Sequence, residues 1–146
     1  MLPRFARGKF YPKNTEKYVG LSTPTYRSSW EHAFMRLCDE HPNVYKWASE
    51  SIKIPYRHPF TGKHTIYVPD FFIVYNDKNS KKHAEMVEVK PASQTTMEAA
   101  GKSMAKKKQV IINHAKWEAA SAYAKQNMLK FRVVSEEDLF HNGKRK

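Results

Sequence analysis

The chain has 146 residues, enough for one domain with a sizeable core that needs no disulfide. Its single cysteine, Cys38, excludes an intrachain disulfide and favours a reducing, intracellular setting. Lysine and arginine total 26 against 14 acidic residues, and the net charge of +12 favours phosphate polymers or anionic surfaces as partners. No stretch approaches the apolar length of a membrane span, and no apolar run follows the basic N-terminus, so neither membrane insertion nor a secretory signal is predicted.

Residues 1–22 are basic and interrupted by proline and glycine, which predicts an extended N-terminal arm. Two interpretations stay open: a frayed terminus, or an arm that lies along phosphates. Phe10, Tyr11 and Tyr18 suggest that parts of it pack on the body of the protein. A single domain is predicted over residues 23–140, with a basic tail over residues 141–146.

The first helix is predicted over residues 28–41. Ser28 is a suitable N-cap, and Ser28-x-x-Glu31 has the spacing of a capping box. Cys38 is expected to be a buried, inert thiol, because no base stands near it in the sequence. Helical spacing predicts a buried stripe of Trp30, Phe34, Leu37 and Cys38.

Apolar runs with turn chemistry between them predict strands at residues 44–49, 51–56, 64–75, 84–90 and 130–134. The 64–75 strand contains Pro69, which cannot donate to a ladder, so a bulge or a sheet edge is expected there. That bend falls immediately before Asp70, where a strand must be re-aimed to present a side chain.

The second half is richer in helix. Residues 92–110 are polar and lysine-rich and predict partial helix, and a second helix is predicted over residues 113–127 with Asn113 as N-cap. Its buried face is assigned to Trp117, Ala120, Ala124 and Met128. A short capped helix is expected from Ser135. The order of elements predicts an α/β (α+β) fold with a mixed central sheet flanked by helices.

One set of polar residues carries the chemistry. Asp70 ends one apolar run, and Glu88-Val-Lys90 lies inside the next, where period-2 geometry places Glu88 and Lys90 on one face. Two carboxylates can hold Mg²⁺ while a lysine beside them orients water or offsets developing charge. A helix packed on the sheet can aim Glu31 at the same place.

Each residue also has a plain structural explanation. The capping box alone accounts for Glu31, a strand-end turn accounts for Asp70, and a solvated ion pair accounts for Glu88 with Lys90. Glu50 is either a solvated charge or a further carboxylate of the metal site. Only the combination is specific, and no zinc pattern, phosphate-binding glycine loop or serine triad competes with it.

The basic residues predict contacts to a polyanion. In this charge context, phosphate contact is at least as plausible as a solvated face, and Gln109 is a candidate for an accessory polar contact. The predicted DNA contacts are Arg27, Lys102, Lys106, Lys107, Lys108 and Lys116.

The ordered segments resemble a known superfamily. They are Tyr26-Arg-Ser-Ser-Trp-Glu31, Ile54-Pro-Tyr56, Val68-Pro-Asp-Phe-Phe72 and Glu88-Val-Lys90, and together they are similar to the PD-(D/E)xK nucleases. The N-terminal segment from Phe10 to Tyr18 and the distal segments Asn113-His-Ala-Lys-Trp117 and Phe131-Arg-Val-Val134 narrow the resemblance to the head-completion nucleases of large contractile-tailed phages. The layout is also similar to the endonuclease subunit of the Tn7-type transposase.

The resemblance implies a restriction-endonuclease-like core and a Mg²⁺-dependent DNA endonuclease in which Mn²⁺ can substitute. It implies that Glu31, Asp70, Glu88 and Lys90 are catalytic, and that Asp70, Glu88, the Val89 carbonyl and Glu31 bind metal. It further implies largely sequence-independent backbone contacts to DNA, a role in phage head completion, and phage head or portal proteins as partners. The implied location is the cytoplasm of the infected host or the virion.

Two other functions stay open on the sequence alone. One is a non-catalytic protein that caps packaged DNA at the portal and uses the fold only to bind. The other is an endonuclease that cleaves junctions or transposon ends, although 146 residues leave no room for an appended recognition domain. The sequence also leaves open whether the protein acts as a homodimer.

Overall fold

The computed structural model describes residues 7–136. Within that range the chain forms eight strands and three α-helices. In chain order these are β1 (Gly8–Lys9), β2 (Thr25–Tyr26), α1 (Ser29–Glu40), β3 (Val44–Ser49), β4 (Ile54–Arg57), β5 (His64–Tyr67), β6 (Phe71–Asn76), β7 (Lys82–Val89), α2 (Met97–Ala100), α3 (Met104–Gln126) and β8 (Lys130–Val134). No helix in this range is both long and apolar enough to cross a membrane.

The centre is a four-stranded sheet in the order β3-β6-β7-β8. The first three strands pair antiparallel, and β8 joins β7 in parallel after the long crossover through α3. This arrangement confirms the predicted mixed sheet. Two smaller two-stranded sheets, β1-β2 and β4-β5, lie outside it.

The sheet separates two apolar clusters because successive side chains of a strand point to opposite faces. On one face, Phe34 and Cys38 of α1 pack with Phe71, Ile73 and other buried side chains of the sheet. On the other face, Met86 packs with Ala120 and Ala124 of α3 and with the β4-β5 pair. The helices therefore flank the sheet as predicted.

The predicted strand over residues 64–75 is two strands in different sheets. The chain breaks between them at Pro69 and Asp70, so that β5 pairs with β4 while β6 enters the central sheet. Pro69 lacks an N–H to donate, and its buried ring occupies the corner where the chain changes sheet. The bend is thus larger than a bulge, and it leaves Asp70 at the start of β6. The strand predicted over residues 51–56 begins only at Ile54.

The prediction of a helix beginning at Asn113 is wrong. A single helix, α3, begins at Met104, and its N-cap Ser103 accepts a hydrogen bond from the Lys106 N–H. Asn113 is buried in mid-helix, where its amide donates to the Gln94 carbonyl oxygen at 3.0 Å. Met128 follows the helix with a positive φ and is 93% exposed, so it takes no part in the core.

Helix α1 follows its prediction closely. Ser28 is the N-cap and accepts from the Glu31 N–H at 3.1 Å, but the Glu31 carboxylate accepts from the Arg27 N–H rather than from Ser28, so the capping box is only half formed. Leu37, assigned to the buried stripe, is 39% exposed, whereas Cys38 is buried as expected. Burial raises the pKa of the Cys38 thiol, which keeps it protonated and inert.

The N-terminal residues are fastened to the domain by Asp39. Its buried carboxylate accepts from the Lys13 N–H at 3.1 Å and from the Asn14 N–H at 2.9 Å. Lys17 returns to the same place, where its ammonium donates to the carbonyl oxygens of Asp39 and His41 at the end of α1. Phe10 completes the attachment by packing in the core, whereas Tyr11 is exposed.

The division of the chain into arm, domain and tail stays a prediction. The tail over residues 141–146 lies outside the described residues, as does most of the helix expected from Ser135.

We expect Asp39→Ala to lower the free energy of unfolding by about 2–3 kcal/mol, because two partly buried N–H groups lose a charged acceptor. Urea denaturation followed by circular dichroism measures the change. Glu40→Ala is the matched control. The Glu40 carboxylate is exposed, and its sole ion pair in the described residues is a long one, 3.8 Å from Arg36 Nε, which contributes about 0.5 kcal/mol or less. Equal effects of the two substitutions would contradict the role given to Asp39.

Candidate active site

Asp70 and Glu88 meet at the end of the β6-β7 pair. The register pairs Phe71 with Val87, so its continuation places Asp70 opposite Glu88. The Asp70 Oδ2 atom accepts from the Val89 N–H at 2.8 Å, which ties the start of β6 to the end of β7. Both carboxylates belong to the face of the sheet that packs on α3. The fold therefore brings together two of the four residues predicted as metal ligands.

Glu88 is 4% exposed, and two side chains compensate its charge. The Tyr67 hydroxyl donates to Glu88 Oε1 at 2.8 Å, and the Lys90 ammonium lies 3.5 Å from Oε2. A buried carboxylate is costly unless it is paired and hydrogen-bonded, so these two contacts fix its orientation. Lys90 lies on the same face of the chain as Glu88, as the alternation predicted.

Glu31 approaches from the start of α1. Its Oε1 atom accepts from the Arg27 N–H at 3.0 Å, and its charge acts on Asp70 and is acted on by Glu88. The structure thus places Glu31 beside the two sheet carboxylates as well as at a helix terminus. The catalytic and metal-binding roles predicted for Glu31 stay predictions.

Glu50 adjoins the site through its backbone. Its N–H donates to the Asp70 carbonyl oxygen at 3.0 Å, and its φ of 52° turns the chain away from the sheet. Its carboxylate is bound by the Arg27 guanidinium through both terminal nitrogens. In this structure Arg27 and Glu50 therefore satisfy each other, and the roles predicted for them, DNA contact and accessory metal ligand, stay predictions.

The three carboxyl groups lie where little water reaches them, and burial is the main cause of their raised pKa values. Desolvation, together with the charges of Glu88 and Glu31, raises the pKa of Asp70 well above its usual range. Desolvation also raises the pKa of Glu88, against the opposing charge of Lys90, and it raises the pKa of Glu31. Such a cluster of carboxylate oxygens suits a hard divalent cation.

The fit has one structural condition. No three His, Cys, Asp or Glu side chains within residues 7–136 are spaced as a ready three-ligand metal site. A cation here would therefore take oxygens of Asp70 and Glu88 and complete its shell with backbone or water oxygens, a pattern usual for Mg²⁺. The Val89 N–H already serves Asp70, and the part predicted for the Val89 carbonyl stays a prediction.

Two further side chains complete the site from the α3 face. Lys116 of α3 places its ammonium 5.7 Å from the centre of the Tyr67 ring, and burial, followed by the charge of Lys90, lowers its pKa. It was predicted as a DNA contact, and the structure brings it to the carboxylates. Tyr67 was not predicted at all, because nothing local marks it: its link to Glu88 spans 21 residues.

The other predicted DNA contacts lie elsewhere on α3 and before it. Lys102, Lys106 and Lys108 are exposed and Lys107 is half-buried. Gln109 donates to the Asn113 side-chain oxygen at 2.9 Å, and Asn113 in turn holds the turn over Ala92–Gln94 that follows Lys90. Gln109 therefore supports the segment leading out of the site, and none of its hydrogen bonds goes to a carboxylate.

We expect Asp70→Asn to raise the Tm of the metal-free protein at pH 8 by several degrees. The folded protein holds the Asp70 proton to a higher pH than the unfolded chain does, so stability falls as pH rises above about 4, the pKa of an unfolded aspartate. Asparagine removes that loss and can still accept from the Val89 N–H. Thermal scans in EDTA at pH 4 and pH 8 should show the gain at pH 8 only.

Asp77→Asn is the control of opposite sign. Its hydrogen bond to His83 lowers the pKa of Asp77 to about 2, so this aspartate contributes stability above about pH 4 that is lost as pH falls towards 2. Its replacement should lower Tm at pH 8. A loss of Tm in both variants would show that the charge at Asp70 does not destabilise the fold.

Comparison with known proteins identifies the family of this chain. The family described as TnsA-like endonuclease N terminal matches residues 41–136, a span that includes Asp70, Glu88 and Lys90 but begins after Glu31. The head completion nuclease of Enterobacteria phage T4 is 34% identical over 142 residues, covering 90% of this chain and 92% of that protein. The mixed sheet between α1 and α3 agrees with the restriction-endonuclease-like fold of such domains. The chain therefore belongs to the TnsA-like endonuclease family.

Proposed function

We propose that the protein is a metal-dependent endodeoxyribonuclease that processes DNA ends during phage head completion. The observation that carries the proposal is the meeting of Asp70 and Glu88 at one strand end, with Lys90 beside them, in a chain of an endonuclease family. The role in head completion is supported by the extent of the similarity to the phage head completion nuclease, which covers most of both chains. The proposed setting is the cytoplasm of the infected host, with head or portal proteins as partners.

The proposed cofactor is Mg²⁺, with Mn²⁺ as a substitute. Asp70 and Glu88 would hold it, with the Val89 carbonyl as a further ligand and Glu31 acting directly or through water. When bound, it polarises the scissile phosphate and lowers the pKa of a coordinated water.

Lys90 and Tyr67 have different proposed roles at the sheet. Lys90, with its ammonium 3.5 Å from Glu88, can hold the attacking water by a hydrogen bond and offset negative charge that grows on the phosphate. The Tyr67 hydroxyl donates to Glu88 and keeps that carboxylate turned towards the site. Tyr67 is thus a positioning residue, whereas Lys90 meets the reacting atoms.

Lys116 supplies a second positive charge on the α3 side. Half-buried beside Tyr67 and near Glu88 and Lys90, it is placed to contact a phosphate that enters between α3 and the sheet. A lysine in a partly desolvated site interacts more strongly with a phosphate than one in bulk water does. It therefore belongs to the site itself rather than to the outer DNA surface.

The outer surface is suited to the DNA backbone. Three consecutive lysines, Lys106 to Lys108, are the third to fifth residues of α3, close to the N-terminus of the helix, where the first backbone N–H groups have no helical partner. Positive charge at a helix N-terminus opposes the helix dipole and weakens the helix. The lysine charges and the positive end of the dipole nevertheless both attract a phosphate to that position. Such contacts carry no base information, so we propose binding that is largely independent of sequence.

Asp70→Asn and Glu88→Gln should abolish cleavage of plasmid and short duplex DNA while DNA affinity stays within about threefold, because phosphate contacts elsewhere supply the binding. Lys90→Met should reduce the single-turnover rate by roughly 100-fold or more. Cleavage by the wild type should vanish in EDTA and return with excess Mg²⁺.

Lys125→Gln is the matched control, since it removes an exposed lysine near the opposite end of α3 and should cleave at the normal rate. Undiminished cleavage by Asp70→Asn would refute the assignment of the site. A wild type that binds DNA without cutting it under any of these conditions would instead favour the portal-capping protein.

Lys116→Met should slow single-turnover cleavage by about tenfold or more at saturating DNA, because its charge acts on the phosphate within the site. By contrast, Lys106→Gln should weaken binding and leave the saturated rate unchanged, since its contact is the same before and during the reaction. Measurement of rate against DNA concentration separates the two. A Lys116 effect confined to affinity would move this lysine to the outer surface.

A further inference from the structure

We propose that the β4-β5 hairpin binds DNA and that its tip residue, Phe60, stacks on a base exposed at a DNA end. The hairpin is defined here as residues 54–67, and its tip as residues 58–63. The proposal deepens the proposed function, on which it rests, by naming the feature of the substrate that the protein recognises.

The hairpin stands apart from the central sheet. Its two strands pair only with each other in the described part of the chain, and Ile54 and Tyr67 at its base pack against α3. Phe60 at its tip exposes 52% of its accessible surface, and Ile66 near its base exposes 54%. Single exposed apolar residues are common, so the exposure of Phe60 needs support from other observations.

The first support is that hydrogen bonds within the tip hold its conformation. His58 Nδ1 accepts from the N–H groups of Phe60 and Thr61 at 3.1 and 3.3 Å, and the Gly62 N–H donates to the His58 carbonyl oxygen at 2.8 Å. Gly62 has a φ of +72°, which other residues rarely adopt, and Arg57 Nε donates to its carbonyl oxygen. An ordered tip holds Phe60 outward and loses little entropy on binding.

The second support is the charge of the hairpin. Residues 51–69 contain Lys53, Arg57 and Lys63 together with two histidines, and no aspartate or glutamate. The cations flank an aromatic ring, which is the arrangement that binds single-stranded nucleic acid: phosphates meet the charges and a base stacks on the ring. This pattern favours DNA over an apolar surface of a protein partner.

The third support is the direct link to the active site. Tyr67 at the base of β5 donates to Glu88, and Asp70 follows three residues later. A four-residue strand extends about 13 Å, so the tip stands about four base steps of 3.4 Å from Tyr67. A base held by Phe60 would therefore lie a short, fixed distance from the phosphate that is cut.

Stacking at this position selects a kind of DNA rather than a sequence. Every base has a face on which a phenyl ring can stack, so the contact reads no base identity. Paired bases inside a duplex are covered on both faces, whereas terminal bases and single-stranded overhangs are not. We therefore assign the hairpin to recognition of DNA ends that carry unpaired bases.

The test measures binding separately from cleavage, in the Asp70→Asn background. Each variant is titrated with two duplexes of equal length, one blunt and one with a four-nucleotide overhang that carries the fluorescent base 2-aminopurine. Phe60→Ala should weaken binding of the overhang duplex by roughly 10- to 100-fold and abolish the fluorescence quench, whereas Phe60→Trp should retain both. Leu21→Ala, which removes a fully exposed apolar side chain outside the hairpin, should change neither.

Charge is tested on the same hairpin. Lys63→Gln should weaken both duplexes equally and reduce the slope of log affinity against log salt by about one phosphate contact. Lys78→Gln, an exposed lysine in the β6-β7 loop, is its control and should not change the slope. In the cleavage-competent protein, Phe60→Ala should spread the cut over several positions.

The proposal is overturned if Phe60→Ala binds both duplexes as the parent protein does. That result, with DNA binding intact, would favour a protein partner for the hairpin and would not affect the proposed nuclease function. Failure of the proposed nuclease function would be seen in a different measurement, as plasmid DNA that the wild-type protein does not cut. The binding titrations do not depend on that result. Urea midpoints equal to that of the parent confirm that Phe60→Ala is folded.

Discussion

The crowding of like charges at the end of an apolar sheet is the constraint on which the site depends. Asp70 and Glu88 lie opposite each other, and the pKa of each carboxyl is raised because little water reaches it. The fold tolerates this cost because a Tyr67 hydroxyl, a Val89 N–H and the Lys90 ammonium each stabilise one of the two groups. On the proposed function, a divalent cation held by these carboxylates would stabilise the folded protein and so link folding to cofactor loading.

Sequence reasoning predicted those parts of the molecule that depend on local chemistry. The strand over Val44–Ser49, the strand over Lys130–Val134 and the Ser28 cap of α1 are set by residues within a few positions of one another. The opposition of Asp70 and Glu88 was also predictable, since Pro69 marks the start of one strand and alternation fixes the face of the other. Their roles in catalysis are a separate matter that geometry supports and kinetics must test.

What could not be predicted depends on contacts between distant residues. Residues 92–110 were predicted to be partly helical, but the prediction did not show that the helix beginning at Met104 continues through Asn113 to Gln126. Asn113 resembled a helix cap because asparagine is a favoured N-cap residue. Its burial in mid-helix is instead stabilised by a hydrogen bond to the distant Gln94 carbonyl oxygen. The position of Lys116 next to Tyr67 follows from the packing of α3, which no local pattern encodes.

Tyr67 connects the hairpin to the chemistry, and this connection explains why the chain breaks at Pro69. An unbroken strand from His64 to Asn76 would place residues 64–67 in the central sheet, where the Tyr67 hydroxyl could not reach Glu88 from the α3 face. Because of the break, one short segment supplies the Asp70 carboxylate and the Tyr67 hydroxyl that orients Glu88. Through β5, the same segment also connects to the hairpin tip that carries Phe60. Tyr67 therefore joins the base of the hairpin to Glu88 through one hydrogen bond, while Asp70 follows Pro69 in the same segment. On the proposed role of Phe60, the segment that positions the DNA end is thus also the segment that positions both carboxylates.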